Sequence, residues 1–458
     1  MTQSIASLVQ RQREFFAAGN TKPVTFRLAA LASLAAAIRR REGEILGALA
    51  ADMKKPPFEA YAAEVGGMLD SIALFRDNLS AWAAPRRVPT PLHSFPAVSR
   101  VQPQPRGVAL IIGPWNYPFL LMLDPLVAAI GAGNCAVLKP SEFAPRTAAV
   151  IVALIRDTFD PGFVTVVEGE ARMAQALLAE RFDHIFFTGG IATARLVMMA
   201  AAKHLTPVTL ELGGKSPCIV EPDADIRLAA RRIAWGKFFN AGQTCIAPDY
   251  LLAHRRIAKE LLTHLAGAVR AFYGDDPRKS PDFARIIDRR HFERVRALLG
   301  SGTPFIGGIA DEADCYIAPT ILTGVTPDSP VMQEEIFGPV LPVLEYGDLG
   351  EALAFVNGRE KPLALYLFSS SPKAIERVRN ETSSGGLCIN DTLVQIANGH
   401  LPFGGAGRSG IGAYHGKTGF ETFSHHRAEM ERGTWLDIPL RYPPFKGKPR
   451  FLRWFIGR

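Results

Sequence analysis

The chain has 458 residues, 48% hydrophobic and 21% charged, a composition typical of a globular protein with room for two or three domains. Its net charge of +8 comes from 52 basic residues interspersed with 44 acidic ones, which argues against a nucleic-acid-binding groove. The five cysteines are Cys135, Cys218, Cys245, Cys315 and Cys388. None lies within three residues of another, so we expect no metal site, and this dispersed set favours a reducing compartment, the cytoplasm.

The first predicted elements are helical. Residues 24–50 carry leucine and isoleucine at helical spacing, which predicts an amphipathic helix or a pair of helices. Proline is frequent in residues 85–105 and predicts an extended excursion at the edge of the fold. The apolar region 108–138 has the length of a membrane span. Its polar residues and prolines instead indicate a buried region, so we expect no transmembrane anchor.

Short apolar segments then alternate with helical patterns. The predicted strands are residues 108–112, 135–138, 164–167, 184–187 and 208–212. This alternation predicts parallel βαβ units and therefore an α/β fold built on an open twisted sheet. Ligands of such sheets bind beyond the carboxyl ends of the strands.

Residues suited to ligand binding follow these strands. They are Asn116 after the first strand, Lys139 and Glu142 after the second, Thr188, Gly189 and Gly190 after the fourth, and Glu211 within the fifth. The Thr-Gly-Gly turn opens a helix, whose N–H groups and positive dipole end suit a pyrophosphate. Lys139 and Glu142 have side chains that can form hydrogen bonds with ribose hydroxyls. Alternatively, the two residues form an ordinary ion pair at the surface. Because no Gly-x-Gly-x-x-Gly motif follows any of these predicted strands, this pattern predicts either a variant dinucleotide site or none.

Cys245 lies in the segment NAGQTCIAPDY, among small and polar residues. No other metal-ligating residue has a suitable spacing from it, which excludes a metal site. Cysteines in apolar strands are predicted to be structural thiols. Cys245 instead follows a Gly-Gln-Thr turn whose backbone can approach a ligand closely. The pattern therefore leaves two roles open for Cys245, a nucleophile and a structural thiol.

Seven segments resemble, in content and order, those of the aldehyde dehydrogenase superfamily. They are GPWNYP, LKPSE, FTGG, TLELGGKSP, NAGQTC, EEIFGPV and LPFGGAGRSGIG. CIAPDY, AYHGK and FSHHR resemble the class 3 branch, which handles medium- and long-chain aliphatic and aromatic aldehydes. The resemblance implies a Rossmann-like parallel-sheet cofactor domain at residues 1–84 and 105–210 and an α/β catalytic domain at 211–390. Residues 85–104 and 391–458 would form a small bridging or oligomerisation element.

The resemblance also implies the roles of the catalytic residues. Cys245 would be the nucleophile that forms a thiohemiacetal and then a thioester, and Asn116 would stabilise the oxyanion together with the Cys245 backbone N–H. Glu211 would be the base that activates water for hydrolysis. Glu335 would be a second candidate base that also contacts the nicotinamide ribose; without the resemblance, it would be interpreted as a solvated charge.

NAD or NADP is the implied cofactor. Lys139 and Glu142 match ribose contacts, Phe337 would pack near the nicotinamide ribose, and Glu142 should favour NAD over NADP. Gly190 and Ala194 depart from the family pattern, which usually has a small polar residue and a glycine at these two positions. We therefore expect the cofactor to bind, with weakened affinity.

Two alternative activities remain. A coenzyme-A-acylating enzyme would not need the base at Glu211, and a catalytically silent relative would not need Cys245 or Asn116. The tail from Arg441 to Arg458 carries six basic residues and no acidic one. This composition predicts packing against a partner subunit, or peripheral contact with an anionic membrane surface. The resemblance implies a homodimer.

Overall fold

The computed structural model describes residues 4–437, 439–446 and 448. The N-terminal part is helical. Its α-helices are Ile5–Ala17, Val24–Arg40, Glu42–Met53, Pro57–Ala60 and Gly67–Ala83, and the π-helical turn Tyr61–Gly66 joins the last two. The helix pair predicted within residues 24–50 is confirmed by the second and third of these helices.

A six-stranded sheet follows the N-terminal helices. In spatial order its strands are Gly410–Ile411, Val208–Glu211, His184–Thr188, Val108–Ile112, Cys135–Lys139 and Val164–Val166. All neighbours are parallel except the first pair. The helices between these strands are Leu120–Ala132, Pro145–Thr158, Ala171–Ala179 and Ile191–Ala202. The predicted parallel α/β sheet is confirmed, and its central strands are buried throughout, as expected for a sheet covered on both faces.

A seven-stranded sheet forms the second large layer. Its strands, in spatial order, are Thr303–Ile306, Thr320–Thr323, Val340–Tyr346, Tyr250–His254, Pro217–Val220, Ala364–Phe368 and Gly386–Ile389. Only the first pair is antiparallel. The α-helices in this region are Ile226–Phe238, Ala258–Tyr273, Arg289–Ala297, Leu349–Asn357 and Pro372–Glu381.

A three-stranded antiparallel sheet joins two distant parts of the chain. Its strands are Arg86–Val88, Ala97–Pro105 and Ser424–Arg432, and the helix Gly416–Thr422 precedes the last of them. The pairing of Ala97–Pro105 with Ser424–Arg432 confirms the extended excursion predicted for the proline-rich segment. A further antiparallel pair of two-residue strands, Ala310–Asp311 and Tyr316–Ile317, lies in the sequence between the strands Thr303–Ile306 and Thr320–Thr323.

The length and hydropathy of the helices show whether any of them could cross a membrane, as considered above for the apolar region 108–138. No helix in the described ranges combines the length and apolar character needed to cross a membrane. Residues 449–458, most of the basic tail, lie outside the described residues. The subunit or membrane contact predicted for the tail therefore stays a prediction.

Candidate active site

A cavity of about 1040 Å³ is lined by residues of the six-stranded sheet, such as Thr188 and Glu211, and by residues between strands of the seven-stranded sheet, such as Cys245 and Glu335. This volume is at the upper end of the range of about 300–1,000 Å³ that is usual for small-molecule and cofactor sites. The sequence-predicted site residues that line it are Asn116, Thr188, Gly189, Gly190, Glu211, Cys245, Glu335 and Phe337. The residues predicted for catalysis and those predicted for the nicotinamide side of a cofactor therefore share one cavity.

Lys139 and Glu142 are not among the lining residues. The Lys139 ammonium donates to Glu142 Oε2 at 3.1 Å and to the Pro140 carbonyl at 2.7 Å, and the lysine side chain is almost fully buried. The pair thus lies at the end of the strand Cys135–Lys139, held together by its own contacts. Its role at a ribose stays a prediction.

The loop before Cys245 has an unusual backbone. Asn240, Ala241 and Gly242 follow one another in the left-handed region, with φ of 53°, 51° and 74°. A Cβ at residue 242 would lie 2.3 Å from the Gly338 carbonyl oxygen, so only glycine fits there. The left-handed backbone conformation is strained for Ala241, because alanine has a Cβ. Strain of this kind occurs mostly at functional sites, where the surrounding contacts hold the backbone in place. This loop places Cys245 in the cavity, where its side chain keeps partial exposure.

The Asn116 loop and the Cys245 loop are joined by hydrogen bonds. Asn116 Nδ2 donates to the Gln243 carbonyl at 3.0 Å, and the hydroxyls of Tyr117 and Thr244 lie 2.6 Å apart. A side-chain amide has two hydrogens, so one N–H of Asn116 is left to donate to a ligand oxygen. The arrangement supplies a hydrogen-bond donor beside the cysteine.

Glu211 is buried without partners. Its side chain is 2% exposed, and neither carboxyl oxygen has a hydrogen-bond partner in the described part of the chain. Buried polar groups are nearly always hydrogen-bonded, so a carboxyl group of this kind indicates a place for water or a ligand. Burial raises the pKa of Glu211 well above its ordinary value.

Glu335, in contrast to Glu211, has charged and hydrogen-bonding groups near its carboxyl group. Burial raises its pKa to about 8, and the Asp249 carboxylate adds to this rise. The Gly214 backbone N–H, the Lys215 ammonium and the Arg294 guanidinium all oppose it. Glu335 therefore has a pKa of about 8, raised by burial and limited by these three neighbours.

The surroundings of Cys245 raise the pKa of its thiol. Burial raises its pKa most, and the Glu335 and Glu211 carboxylates raise it further. The backbone N–H groups of Cys245 and Ile246 lower it by hydrogen bonding to the sulfur. The two carboxylates thus disfavour the thiolate while they are charged.

Aromatic rings line the cavity next to these groups. Trp115 contacts Phe337 edge to face at a centroid distance of 5.3 Å and His291 at 4.8 Å. Phe337 has φ of 47°, an uncommon conformation for a bulky residue. Trp115 and His291 line the cavity as well, although they were not among the site residues predicted from the sequence. Trp115 could have been found from its position beside Asn116, whereas His291 has no comparable signal.

The cavity brings together a cysteine, two carboxyl groups with raised pKa values, an amide donor and the N-terminal end of the helix Ile191–Ala202. Fold and site define the class: an α/β oxidoreductase that uses a dinucleotide cofactor. The family model described as "Aldehyde dehydrogenase family" matches residues 2–428, and the chain belongs to this family. The predicted class of activity, oxidation of aldehydes with NAD or NADP, is confirmed.

Individual relatives agree with this placement. The chain is 48% identical to 4,4'-diaponeurosporen-aldehyde dehydrogenase of Staphylococcus aureus, over 97% of each chain. It is 47% identical to the dimeric NADP-preferring aldehyde dehydrogenase of Canis lupus familiaris, over 97% of this chain and 98% of the relative. The substrate-bound structure of Staphylococcus aureus AldH matches with a TM-score of 0.98 and 46% identity, over 100% of both chains. Relatives named as family 3 members confirm the class 3 resemblance.

Proposed function

We propose that Cys245, Asn116, Glu211 and Glu335 perform the two half-reactions of aldehyde oxidation. The observation that carries this proposal is the buried Glu211 carboxyl, unpartnered in the described residues and lining the same cavity as Cys245. Such a carboxyl suits a water molecule that must attack a thioester on the cysteine.

In the first half-reaction the Cys245 thiol gives up its proton, which passes to solvent through the Glu335 or Glu211 carboxylate, and the sulfur forms a bond to the aldehyde carbon. The carbonyl electron pair moves onto oxygen, where the free N–H of Asn116 and the Cys245 backbone N–H stabilise it. One such donor contributes about 3–4 kcal/mol to catalysis. When bound, the nicotinamide accepts the hydride that leaves this carbon as the oxyanion collapses, and a thioester remains on Cys245.

The second half-reaction hydrolyses the thioester. Glu211 takes a proton from water while the water oxygen bonds to the thioester carbon. The carbon–sulfur bond then breaks, which releases the carboxylic acid and returns Cys245 as a thiolate. Glu335 is the second candidate for the base, since burial raises its pKa to about 8.

The cavity fits a dinucleotide. Gly190 precedes the helix Ile191–Ala202, whose positive end suits a pyrophosphate. Space around Gly190 is open, because a Cβ there would meet no atom within 4 Å. Phe337 supplies a ring for the nicotinamide end, while Lys139 and Glu142 remain the proposed contacts of the adenine-side ribose. We propose that both NAD and NADP are accepted, as the NADP-preferring relative also suggests.

The preferred substrates are proposed to be medium- and long-chain aliphatic or aromatic aldehydes. Besides the catalytic groups, apolar and aromatic side chains line the cavity: Leu121, Leu363, Phe403 and Tyr414. These side chains suit an apolar substituent on the aldehyde, because its burial removes apolar surface from water.

The domain division is proposed as it was predicted: a cofactor domain at residues 1–84 and 105–210, a catalytic domain at 211–390, and a bridging element at 85–104 and 391–458. The three-stranded sheet, which joins the two parts of the bridging element, supports this division.

We further propose a homodimer. Leu196, Met199 and Leu205 are exposed on or just after the helix Ile191–Ala202, and exposed apolar patches of this kind often mark interfaces. A dimeric relative at 47% identity supports the same state. All five cysteines are free thiols, which supports the proposed cytoplasmic location.

The test is a steady-state assay of reduced cofactor with a panel of aliphatic and aromatic aldehydes, using NAD and NADP in parallel. We expect turnover that rises with chain length and disappears in Cys245→Ala. Acyl-coenzyme A formed on addition of coenzyme A would contradict hydrolysis. A folded protein that binds cofactor and oxidises no aldehyde would instead indicate a silent relative.

A further inference from the structure

A buried ion pair lies behind the Asn116 loop. The Lys55 ammonium pairs with Glu64 Oε1, and both side chains are fully buried. The same ammonium donates to the Asn116 carbonyl at 3.0 Å and lies 4.2 Å from the centroid of the Tyr117 ring. One charged group thus contacts the backbone of the proposed oxyanion donor and the face of the next side chain.

Glu64 fixes the other end of this loop. Its Oε2 accepts the Phe119 backbone N–H at 2.9 Å and the Leu120 N–H at 3.4 Å. Leu120 is the first residue of the helix Leu120–Ala132, so the carboxylate lies at the positive end of that helix. Lys55 and Glu64 together therefore hold the backbone from Asn116 to Leu120.

The same N-terminal segment also contacts the cysteine loop. Glu59 Oε2 accepts the backbone N–H of Asn240 at 2.9 Å, where the left-handed turn before Cys245 begins. Asn240 Nδ2 donates to the Asn116 carbonyl at 3.0 Å, the oxygen that also accepts from Lys55. The Asn116 carbonyl is thus the point where contacts from both loops and the N-terminal segment meet.

An isolated buried ion pair is a poor device for stability, because the cost of desolvating two charges offsets much of their attraction. Here the pair has hydrogen bonds to a loop that lines the cavity, and neither Lys55 nor Glu64 lines the cavity itself. This arrangement is better explained by a need for a fixed geometry, since small displacements of a catalytic group are costly to rate.

We propose that Lys55 and Glu64 are positioning residues that fix the Asn116 amide in the geometry needed to stabilise the oxyanion. This inference rests on the proposed role of Asn116. Its consequence is that the ion pair acts on the rate of thiohemiacetal formation and hydride loss, and not on cofactor affinity or on the chemistry of the Cys245 thiol.

The main test replaces the pair with apolar side chains. The double variant Lys55→Met/Glu64→Met keeps similar volumes, a change that is often neutral for stability. The readout is the rate constant for reduced-cofactor formation in the first turnover at saturating aldehyde, with the unfolding midpoint and the cofactor Kd measured in parallel. We expect a folded protein with unchanged cofactor Kd and a rate constant lower by about tenfold or more.

Two further variants complete the design. Glu64→Gln keeps the side-chain volume and an acceptor oxygen for the Phe119 N–H while it removes the negative charge opposite Lys55, and it should slow the same step. Lys54→Met is the matched control, because Lys54 is exposed and pairs with Asp314 outside the cavity. The control should have the native rate.

A double-mutant cycle with Asn116→Ala separates this inference from the proposed function. If the pair acts through the Asn116 amide, its replacement should add no further loss in the Asn116→Ala background. A native rate in the folded apolar variant, or the same fold-loss with and without Asn116, would overturn the inference. An Asn116→Ala variant with the native rate would instead overturn the proposed role of Asn116 itself.

Discussion

Gly213 lies against the carboxyl group of Glu335, so that a Cβ at residue 213 would be 1.8 Å from Glu335 Oε2 and 2.4 Å from its carboxyl carbon. Gly213 follows Leu212, the residue after the strand Val208–Glu211. Because it has no side chain, it leaves the space that the Glu335 carboxyl group occupies. This close approach connects the first sheet, which carries Glu211, to the segment that precedes the strand Val340–Tyr346.

Gly213→Ala should therefore displace Glu335 and lower aldehyde turnover. We expect a loss of about tenfold or more in kcat, because the carboxyl group must leave its place beside the Gly214 N–H. Gly47→Ala is the control, since a Cβ there meets no atom within 4 Å and its helix tolerates alanine. Equal kcat values for the two variants would contradict the importance of the Glu335 position.

The pH dependence of residual hydrolysis tests Glu335 as a second base. A base acts only when ionised, and burial raises the pKa of Glu335 to about 8. In Glu211→Gln, the slow hydrolysis of the thioester should thus rise about tenfold per pH unit below about 8 and level off above it. The double variant with Glu335→Gln should lose this rise. A rate that does not change with pH in Glu211→Gln would show that Glu335 does not act as a base.

Alkylation of Cys245 by iodoacetamide in the absence of cofactor reports the pKa of its thiol. Because burial raises that pKa, the alkylation rate should still rise with pH up to about 9, with no plateau near neutrality. At a fixed pH near 8.5, a larger share of the Glu335 carboxyl group is ionised, and its negative charge disfavours the Cys245 thiolate. Glu335→Gln removes this charge, so Cys245 in this variant should be alkylated faster than in the native protein. Peptide mass spectrometry identifies the labelled cysteine, and Cys245→Ala provides the blank. A plateau at about pH 7 would contradict the raised pKa.

The sequence predicted the fold because its strands are short apolar runs bounded by polar turns. The runs at 108–112 and 135–138 are fully buried strands in the structure, with the predicted turns at their carboxyl ends. Glu211 lines the cavity at the carboxyl end of the strand Val208–Glu211, as the strand pattern predicts, whereas a site role for Cys245 was predicted from the family resemblance.

Contacts between distant segments could not be predicted in the same way. Lys55 and Glu64 are charged residues in a helical segment, a pattern that is common on solvent-exposed faces, yet both are fully buried. Their burial depends on the position of the Asn116 loop, which lies more than fifty residues away in sequence. Similarly, the sequence placed Lys139 beside Glu142 but did not show that the ion pair lies outside the cavity lining.

In the proposed mechanism, oxidation proceeds through a thioester on Cys245, which water hydrolyses with Glu211 as the base. The most direct measurement is a rapid-mixing assay of Glu211→Gln with excess aldehyde and cofactor, followed by intact-protein mass spectrometry. We predict a burst of about one equivalent of reduced cofactor per active site, then a slow phase, and an added acyl mass that maps to Cys245. Steady turnover at the native rate, with no burst and no acyl group on Cys245, would contradict a Cys245 thioester hydrolysed with Glu211 as the base.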